Sequence, residues 1–309
     1  MLTYALKRVA LAMPTMFLAA VLTFLTLSLV PGDPVEIMLI QLLNELPTPA
    51  ELDEFRAELG FDRPIYIRFF IWLTSILQGD FGISSRSGEP VLSEIARTLP
   101  VTVEVGLASL LVTFGLAFPA GITSAVRHNT LIDYATRFAA ILGISMPSFW
   151  LALLLMLVFA VNLGLLPVFG RGGVEHLILP AITLGVGGAA LTTRLLRSSM
   201  LEVLSADYIR TARAKGLKET IVVWKHALRS ALIPVVTVMG LQIGFVLGGS
   251  VIVETVFALP GVGWLMVESI NARDFSMVQG ITLLYAMTVI VANLLVDLSY
   301  VFLDPRIRY

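Results

Sequence analysis

An all-α integral membrane protein with six transmembrane helices is the fold class that this sequence predicts, and three observations predict it. Of the 309 residues, 57% are hydrophobic and only 14% are charged, whereas a soluble domain carries about 45–50% apolar and about 25% charged residues. The 21 Lys and Arg together with 22 Asp and Glu are too few to clothe a soluble monomer of this size. The charge-free stretches are also long enough to cross hydrocarbon, which takes about 20 residues at about 1.5 Å rise each. Finally, Lys and Arg are divided unevenly between the segments on alternate sides of those stretches. A net charge of −1 gives no sign of a nucleic-acid partner, and the absence of cysteine excludes disulfides, thiolate metal sites and a Cys nucleophile.

The charge-free stretches are Val9 to Val30, Val105 to Val126, Phe138 to Gly170, His176 to Thr193, Ser230 to Val253 and Phe275 to Val296. The first follows Lys7-Arg8 and raises the alternative of a signal peptide. Its apolar run exceeds a usual signal core, and Pro31-Gly32-Asp33-Pro34 offers no small-residue cleavage site, which favours a retained span. The third stretch is too long for one straight crossing, so its helix is expected to end near Asn162, with Gly164-Leu165-Leu166-Pro167 in a loop. With both termini inside, the inner segments hold Lys7, Arg8, Arg127, Arg137, Arg306, Arg308 and the basic residues between Arg194 and Arg229. The long stretch from Pro31 to Pro100 is acidic by contrast, which places both ends in the cytoplasm.

That outer stretch is too long to be a mere connector. Thr48-Pro49-Ala50-Glu51 is a capping box with Pro at the first helical position, and Gly60 follows Leu59, so one short amphipathic helix is expected there. Ile65-Tyr66-Ile67-Arg68-Phe69-Phe70-Ile71-Trp72-Leu73 is too short to span and rich in aromatics, as expected of a helix at headgroup level. A folded cap over the bundle and a surface for an external partner are both compatible with this region.

The second long loop, Arg194 to Arg229, faces the cytoplasm. Ser205-Ala206-Asp207-Tyr208 is expected to open a helix that Ile209 to Lys215 continue and Gly216 closes, with Leu217 as the accompanying apolar contact. Arg210, Arg213, Lys215 and Lys218 suit the negative end of the helix dipole, and Ala206, Ala212 and Ala214 allow close approach. A positive loop resting on phospholipid is the simpler alternative, but a pure charge anchor needs no capped helix.

Here the residues carry a resemblance. Asp207-Tyr208-Ile209-Arg210-Thr211-Ala212-Arg213-Ala214-Lys215-Gly216-Leu217, followed by His226-Ala227-Leu228-Arg229-Ser230-Ala231-Leu232-Ile233-Pro234, resembles the coupling-loop signature of the permease subunits of bacterial peptide, glutathione and nickel ABC importers. Leu29-Val30-Pro31-Gly32-Asp33-Pro34, Gly79-Asp80-Phe81-Gly82, Ser145-Met146-Pro147-Ser148-Phe149, Glu254-Thr255-Val256-Phe257 with Pro260-Gly261-Val262-Gly263, and Asp304-Pro305-Arg306-Ile307-Arg308-Tyr309 resemble the same family, so the match runs end to end. The wider superfamily opens its loop with Glu-Ala-Ala six residues before the glycine. This chain reads Arg210-Thr211-Ala212 there, and no role resting on that carboxylate is carried over.

The resemblance implies a type I ABC importer permease fold in a bacterial inner membrane. A homologous second permease would stand beside the chain, two cytoplasmic ATPases beneath it, and an extracytoplasmic binding protein would deliver cargo. It implies three segments: residues 1–98 with the first span and the small outer helical insertion, a five-helix core at 99–303 that contains the coupling loop 194–229, and a cytoplasmic tail at 304–309. Ser205 to Leu217 would contact an ATPase, and Arg213→Glu or Gly216→Val would uncouple transport from ATP use. Gly240, Gly244 and Gly248 share one helical face in the fifth span. Close packing is one reading of that face. The other, which leans on the family, sets it with Gln242 along the second permease or the translocation path. The loop carrying Glu254, Phe257, Pro260, Gly261 and Gly263 would then face the binding protein.

The residues are consistent with an external energy source. No G-x-x-x-x-G-K-[ST] loop exists, and none of Lys7, Lys215, Lys218 and Lys225 follows a glycine. Energy must therefore come from a partner or an ion gradient, and the resemblance places ATP and Mg on partner subunits, with no cofactor bound by this chain. A self-sufficient secondary transporter would carry acids or histidines near mid-membrane, and the span interiors lack them. Asn162, Gln242 and Asn293 are expected to bond neighbouring helices. Neither H-E-x-x-H nor G-x-S-x-G occurs, and His128, His176 and His226 are scattered, so no catalytic or metal residues are assigned and the chain is not expected to be an enzyme. Di- or oligopeptide is the first choice of cargo because the spans look neutral and hold no ligand cluster, with glutathione or a nickel chelate as alternatives.

Overall fold

The computed structural model describes residues 2–29, 34–43, 45–58 and 60–303. Val30 to Asp33 of the first family motif, Leu59, and the tail from Asp304 to Tyr309 lie outside the described residues. Thirteen helices are described in the order α1 (Leu2–Leu29), α2 (Pro34–Leu43), α3 (Pro49–Glu58), α4 (Ile65–Leu77), α5 (Val91–Val126), α6 (Leu131–Ser145), α7 (Ser148–Leu155), α8 (Glu175–Leu204), α9 (Asp207–Ala214), α10 (Glu219–Ile221), α11 (Leu228–Val256), α12 (Val262–Asn271) and α13 (Phe275–Leu303). Wider π-type turns extend α7 through Met156–Asn162 and join α10 to α11 through Val222–Ala227. Among the described residues, five helices are long and apolar enough to cross a membrane, and the bent pair of α6 and α7 makes six when counted as one span.

Three expectations change. The third span is not one helix from Phe138 to Asn162: α6 and α7 meet at 106°. Pro147 lacks an amide hydrogen and pushes the residue before it out of helical geometry, and Met146 is extended at φ −82° and ψ 122°. The helix does end at Asn162, and Gly164 turns with φ +61°. The loop from Arg194 to Arg229 is mostly helix, because α8 runs on to Leu204 and helical turns resume at Glu219. The second span starts at Val91 and is 36 residues long, so it runs unbroken across the 98/99 boundary.

The outer insertion holds more helix than the sequence suggested. In α3 the capping box forms as expected: the Thr48 amide donates to Glu51 Oε2 at 2.7 Å and the Glu51 amide to Thr48 Oγ1 at 3.4 Å. The Thr48 amide and hydroxyl hold the Glu51 carboxyl below the usual carboxylate range. α4 packs on α1 through an aromatic cluster in which Phe69 meets Phe24 edge-on at 5.4 Å and Phe17 at 5.8 Å. Helix α2 was not expected, although Pro34 at its first position and Glu36 in its first turn are start signals. A strap between α4 and α5 is tied down by Asp274, which takes hydrogen bonds from Ser84 Oγ at 2.5 Å and from the Met277 amide at 3.1 Å.

Among the spans, α5 lies along α8, α11 bridges α8 and α13, and α1 packs on α13. The α11–α13 contact depends on Gly240, where an added Cβ would stand 1.9 Å from Cγ2 of Val296. Val296 is stiff at χ1 and has little room to turn away. Gly240→Ala is expected to lower stability by about 1–3 kcal/mol, visible as earlier heat-induced aggregation in detergent. An unchanged midpoint would show that the two helices separate freely.

Candidate functional site

The α9 end of the bundle is built around one short two-faced helix. Ile209 and Ala212, three residues apart, point into a cluster formed by Leu196, Met200, Val222, Val223, Ala227 and Ala231. Asp207, Tyr208, Arg210, Thr211, Arg213, Ala214 and Lys215 face outward, the Arg210 side chain being 73% exposed. Ile209 is the anchor that sequence reasoning did not single out. Its signal was present, since it is the one large aliphatic residue in a run of small and basic ones.

Ser205 does not cap α9. Its hydroxyl donates to the Glu202 carbonyl at 2.7 Å and closes α8 instead, leaving Ala206 at the N-cap without a side-chain bond. Gly216 ends α9 as expected. It lies at φ +74°, its amide donates to the Arg213 carbonyl at 2.9 Å, and the Leu217 amide reaches back to the Ala212 carbonyl at 3.4 Å, the paired bonds of a Schellman turn. Leu217 itself is 38% exposed rather than packed on the helix. Arg213 forks onto Glu219 at 3.1 and 2.7 Å, bracing α9 to α10. Arg213→Glu therefore breaks an internal brace as well as changing the outer surface.

About two turns before the end of α8 lies an ion pair joining residues far apart in sequence. Arg197 on α8 donates through Nε and Nη2 to the two oxygens of Asp133 on α6, at 2.6 and 2.8 Å. Asp133 is fully buried, and it also accepts from Ser124 Oγ on α5 at 2.5 Å and from the Asn129 amide at 3.0 Å. The bidentate pair and its added bonds fix three helices where α8 descends towards α9.

The opposite end departs from expectation. Glu254, Phe257, Gly261 and Gly263 are buried, and of the five residues assigned to an outward loop only Pro260 is exposed. The Glu254 carboxylate turns inward to cap α12, accepting from the Gly263 amide at 2.7 Å and the Trp264 amide at 3.1 Å. Thr102 on α5 takes the Val262 amide at 2.8 Å, completing the cap. Glu254→Ala is expected to leave buried donors unpaired, at about 1–3 kcal/mol, and to raise hydrogen exchange across Val262–Asn271. Glu254→Gln, which keeps an acceptor, should raise it less. Equal exchange in both variants would remove the capping role.

The glycine face divides. Gly240 packs on Val296 and Gly244 on Val289, both within this chain, as the close-packing reading of that face has it. Gly248 has open space where its Cβ would be. Gln242 is buried and donates to Thr192 Oγ1 at 2.6 Å and the Gly188 carbonyl at 3.3 Å, tying α11 to α8 as a polar clasp. Among the described residues, no group of three His, Cys, Asp or Glu side chains stands close enough to hold a metal ion.

Known proteins resemble this chain along its whole length. The family described as binding-protein-dependent transport system inner membrane component matches residues 117–309, and its N-terminal part matches residues 1–106. The glutathione transport system permease protein GsiC of Salmonella typhimurium is 46% identical over 312 residues, covering 100% of both chains. That of Escherichia coli strain K12 is 45% identical over the same span. Among solved structures, the inward-facing methionine ABC transporter MetNI superposes with a TM-score of 0.58 at 21% identity, covering 68% of this chain and 96% of that one. An amino acid ABC transporter gives 0.54 at 11% identity, covering 67% and 92%. These two show the shared fold. With helices long enough to cross a membrane and a family match over both parts of the chain, the protein belongs to the inner membrane components of binding-protein-dependent transport systems, and is a multi-pass permease subunit of an ABC importer.

Proposed function

We infer that α9 is the element through which partner ATPases drive this permease. The observation that carries the reading is its two-sidedness: Ile209 and Ala212 root it in the core while a polar face from Asp207 to Lys215 stays uncovered. A helix held this way transmits force to α8 and α11, where a loosely tethered loop would absorb it. Both termini and α9 then lie in the cytoplasm, in keeping with the Lys and Arg distribution. The ATPases bind ATP and Mg and draw α9 towards its counterpart on a homologous second permease when they close, which opens the outer mouth to a docked binding protein. Separation after hydrolysis reopens the inside.

The cargo is a small peptide of the glutathione class. Support comes from the 46% identity, over the full length of both chains, to permeases named for glutathione transport. Glutathione is itself a short peptide, so this narrows the peptide expectation. Proteoliposomes holding both permeases, the ATPases and the binding protein are expected to accumulate glutathione on ATP in preference to linear dipeptides or nickel complexes, and this chain alone to accumulate nothing. Uphill uptake by the lone chain would overturn the reading, and preference for a linear dipeptide would overturn the cargo. Arg210→Glu, on the uncovered face, should cut uptake about tenfold, or about 1.4 kcal/mol of coupling, with both permeases still assembled. Normal uptake would place the ATPase contact elsewhere.

A further inference from the structure

A cluster of basic groups between α6 and α8 has no part in the functions above. A cavity of about 360 Å³ lies there, lined by Arg137, Ile141, Arg194, Arg197 and Ser198. Three guanidiniums share this space and no carboxylate lines it. Arg197 is neutralised within the chain by its fork onto buried Asp133. Asp133 has nothing left for the other two, since its oxygens also take Ser124 and the Asn129 amide. Among the described residues, neither Arg137 nor Arg194 forms an ion pair; Arg137 lies over the Tyr134 ring at 5.8 Å. Glu202, two turns beyond Arg194 on the same helix, is off the lining.

The depth of these groups is legible in the sequence. Arg137 directly precedes the charge-free stretch that begins at Phe138, and Arg194 directly follows the one that ends at Thr193. Both guanidiniums therefore sit at the edge of the hydrocarbon, at the level of headgroup phosphates. Leu131, Phe138 and Ile141 beside them are exposed and apolar, as acyl chains require. Arginine's planar fork of N–H donors matches the oxygens of a phosphate, and a cation at this depth is stabilised by an anion in the same plane.

We propose that this cavity binds the phosphodiester of an anionic phospholipid from the leaflet on the α9 side, gripped by Arg137 and Arg194, with Arg197 held in register by Asp133. The bound lipid bridges α6 and α8 about two to three turns above α9, and steadies the helix that carries it.

The full chain, purified with the subunits that accompany it, is placed in phosphatidylcholine nanodiscs doped with phosphatidylglycerol, and retained phosphatidylglycerol is counted by native mass spectrometry. The wild type is expected to keep at least one phosphatidylglycerol through delipidation, and excess inorganic phosphate not to displace it. The pair Arg137→Gln with Arg194→Gln should weaken retention about thirtyfold, whereas Arg137→Lys with Arg194→Lys keeps most of it. If the Gln pair fails to assemble, each single Gln variant is expected to lose about fivefold. Unchanged retention in the Gln pair, or in both single variants, overturns the proposal. Displacement by inorganic phosphate also overturns it, and assigns the cavity to a soluble anion instead.

Discussion

Gly216→Val is expected to abolish ATP-driven uptake while leaving the permease in the membrane. Gly216 lies at φ +74°, where a β-branched residue is strained by at least about 1–2 kcal/mol. The strain falls on the Schellman turn, whose two backbone hydrogen bonds hold the end of α9. An added Cβ meets nothing within 4 Å, so the effect is conformational rather than a clash. Freed from its turn, α9 is expected to lose its fixed angle to the Arg213–Glu219 brace, and the transmitted stroke is lost with it. Uptake should fall more than tenfold with ATP hydrolysis no longer stimulated by loaded binding protein. Gly216→Asn, which tolerates the left-handed region better, should retain a measurable fraction. Normal uptake in the valine variant would show that the turn does not carry the motion.

Arg197→Met is expected to be the most destabilising single change described for this chain. It leaves Asp133, which is 0% exposed, as an uncompensated buried charge, and breaking such a pair from one side costs about 3–5 kcal/mol. The Ser124 hydroxyl and Asn129 amide soften that loss without removing it. The measurement is the thermal aggregation midpoint of the detergent-solubilised protein. Asp133→Leu combined with Arg197→Met should recover much of the loss, because the stranded charge goes with its partner. Arg197→Lys, which keeps the charge but not the planar fork, should fall between. If the double variant is as unstable as the single one, the pair's value lies in its geometry and not in neutralising Asp133.

Signals between residues close together in the chain were legible in the sequence. The cap at Thr48 and the stop at Gly216 depend on residues within five positions of one another, and both form as expected. The spans follow from length and apolarity alone, since in lipid every backbone amide must be satisfied within its own helix. The motif around Asp207–Leu217 placed α9 within one or two residues. Misreadings arose where a residue had two possible partners. Ser205 stood between two helices and bonded the earlier one. The third span was expected to run through Pro147 to Asn162, and a proline within an apolar stretch allows anything from a mild kink to the observed 106°. Glu254, in a loop-like run of Pro and Gly, read as a surface charge until α12 was seen to start beneath it.

Composition, the placement of charges and short-range caps were enough to predict a six-span helical membrane protein, and the Asp207–Leu217 motif carried the resemblance to importer permeases, because each of those properties is settled by residues close together along the chain. Which face of each helix turns inward could not be read that way. Asp133 finds Arg197 across 64 positions, Gly240 meets Val296 on another span, and Gln242 reaches Thr192 on a third. Each pairing exists only once the helices are packed, and nearly uniform apolar spans carry no periodic pattern that would announce it beforehand.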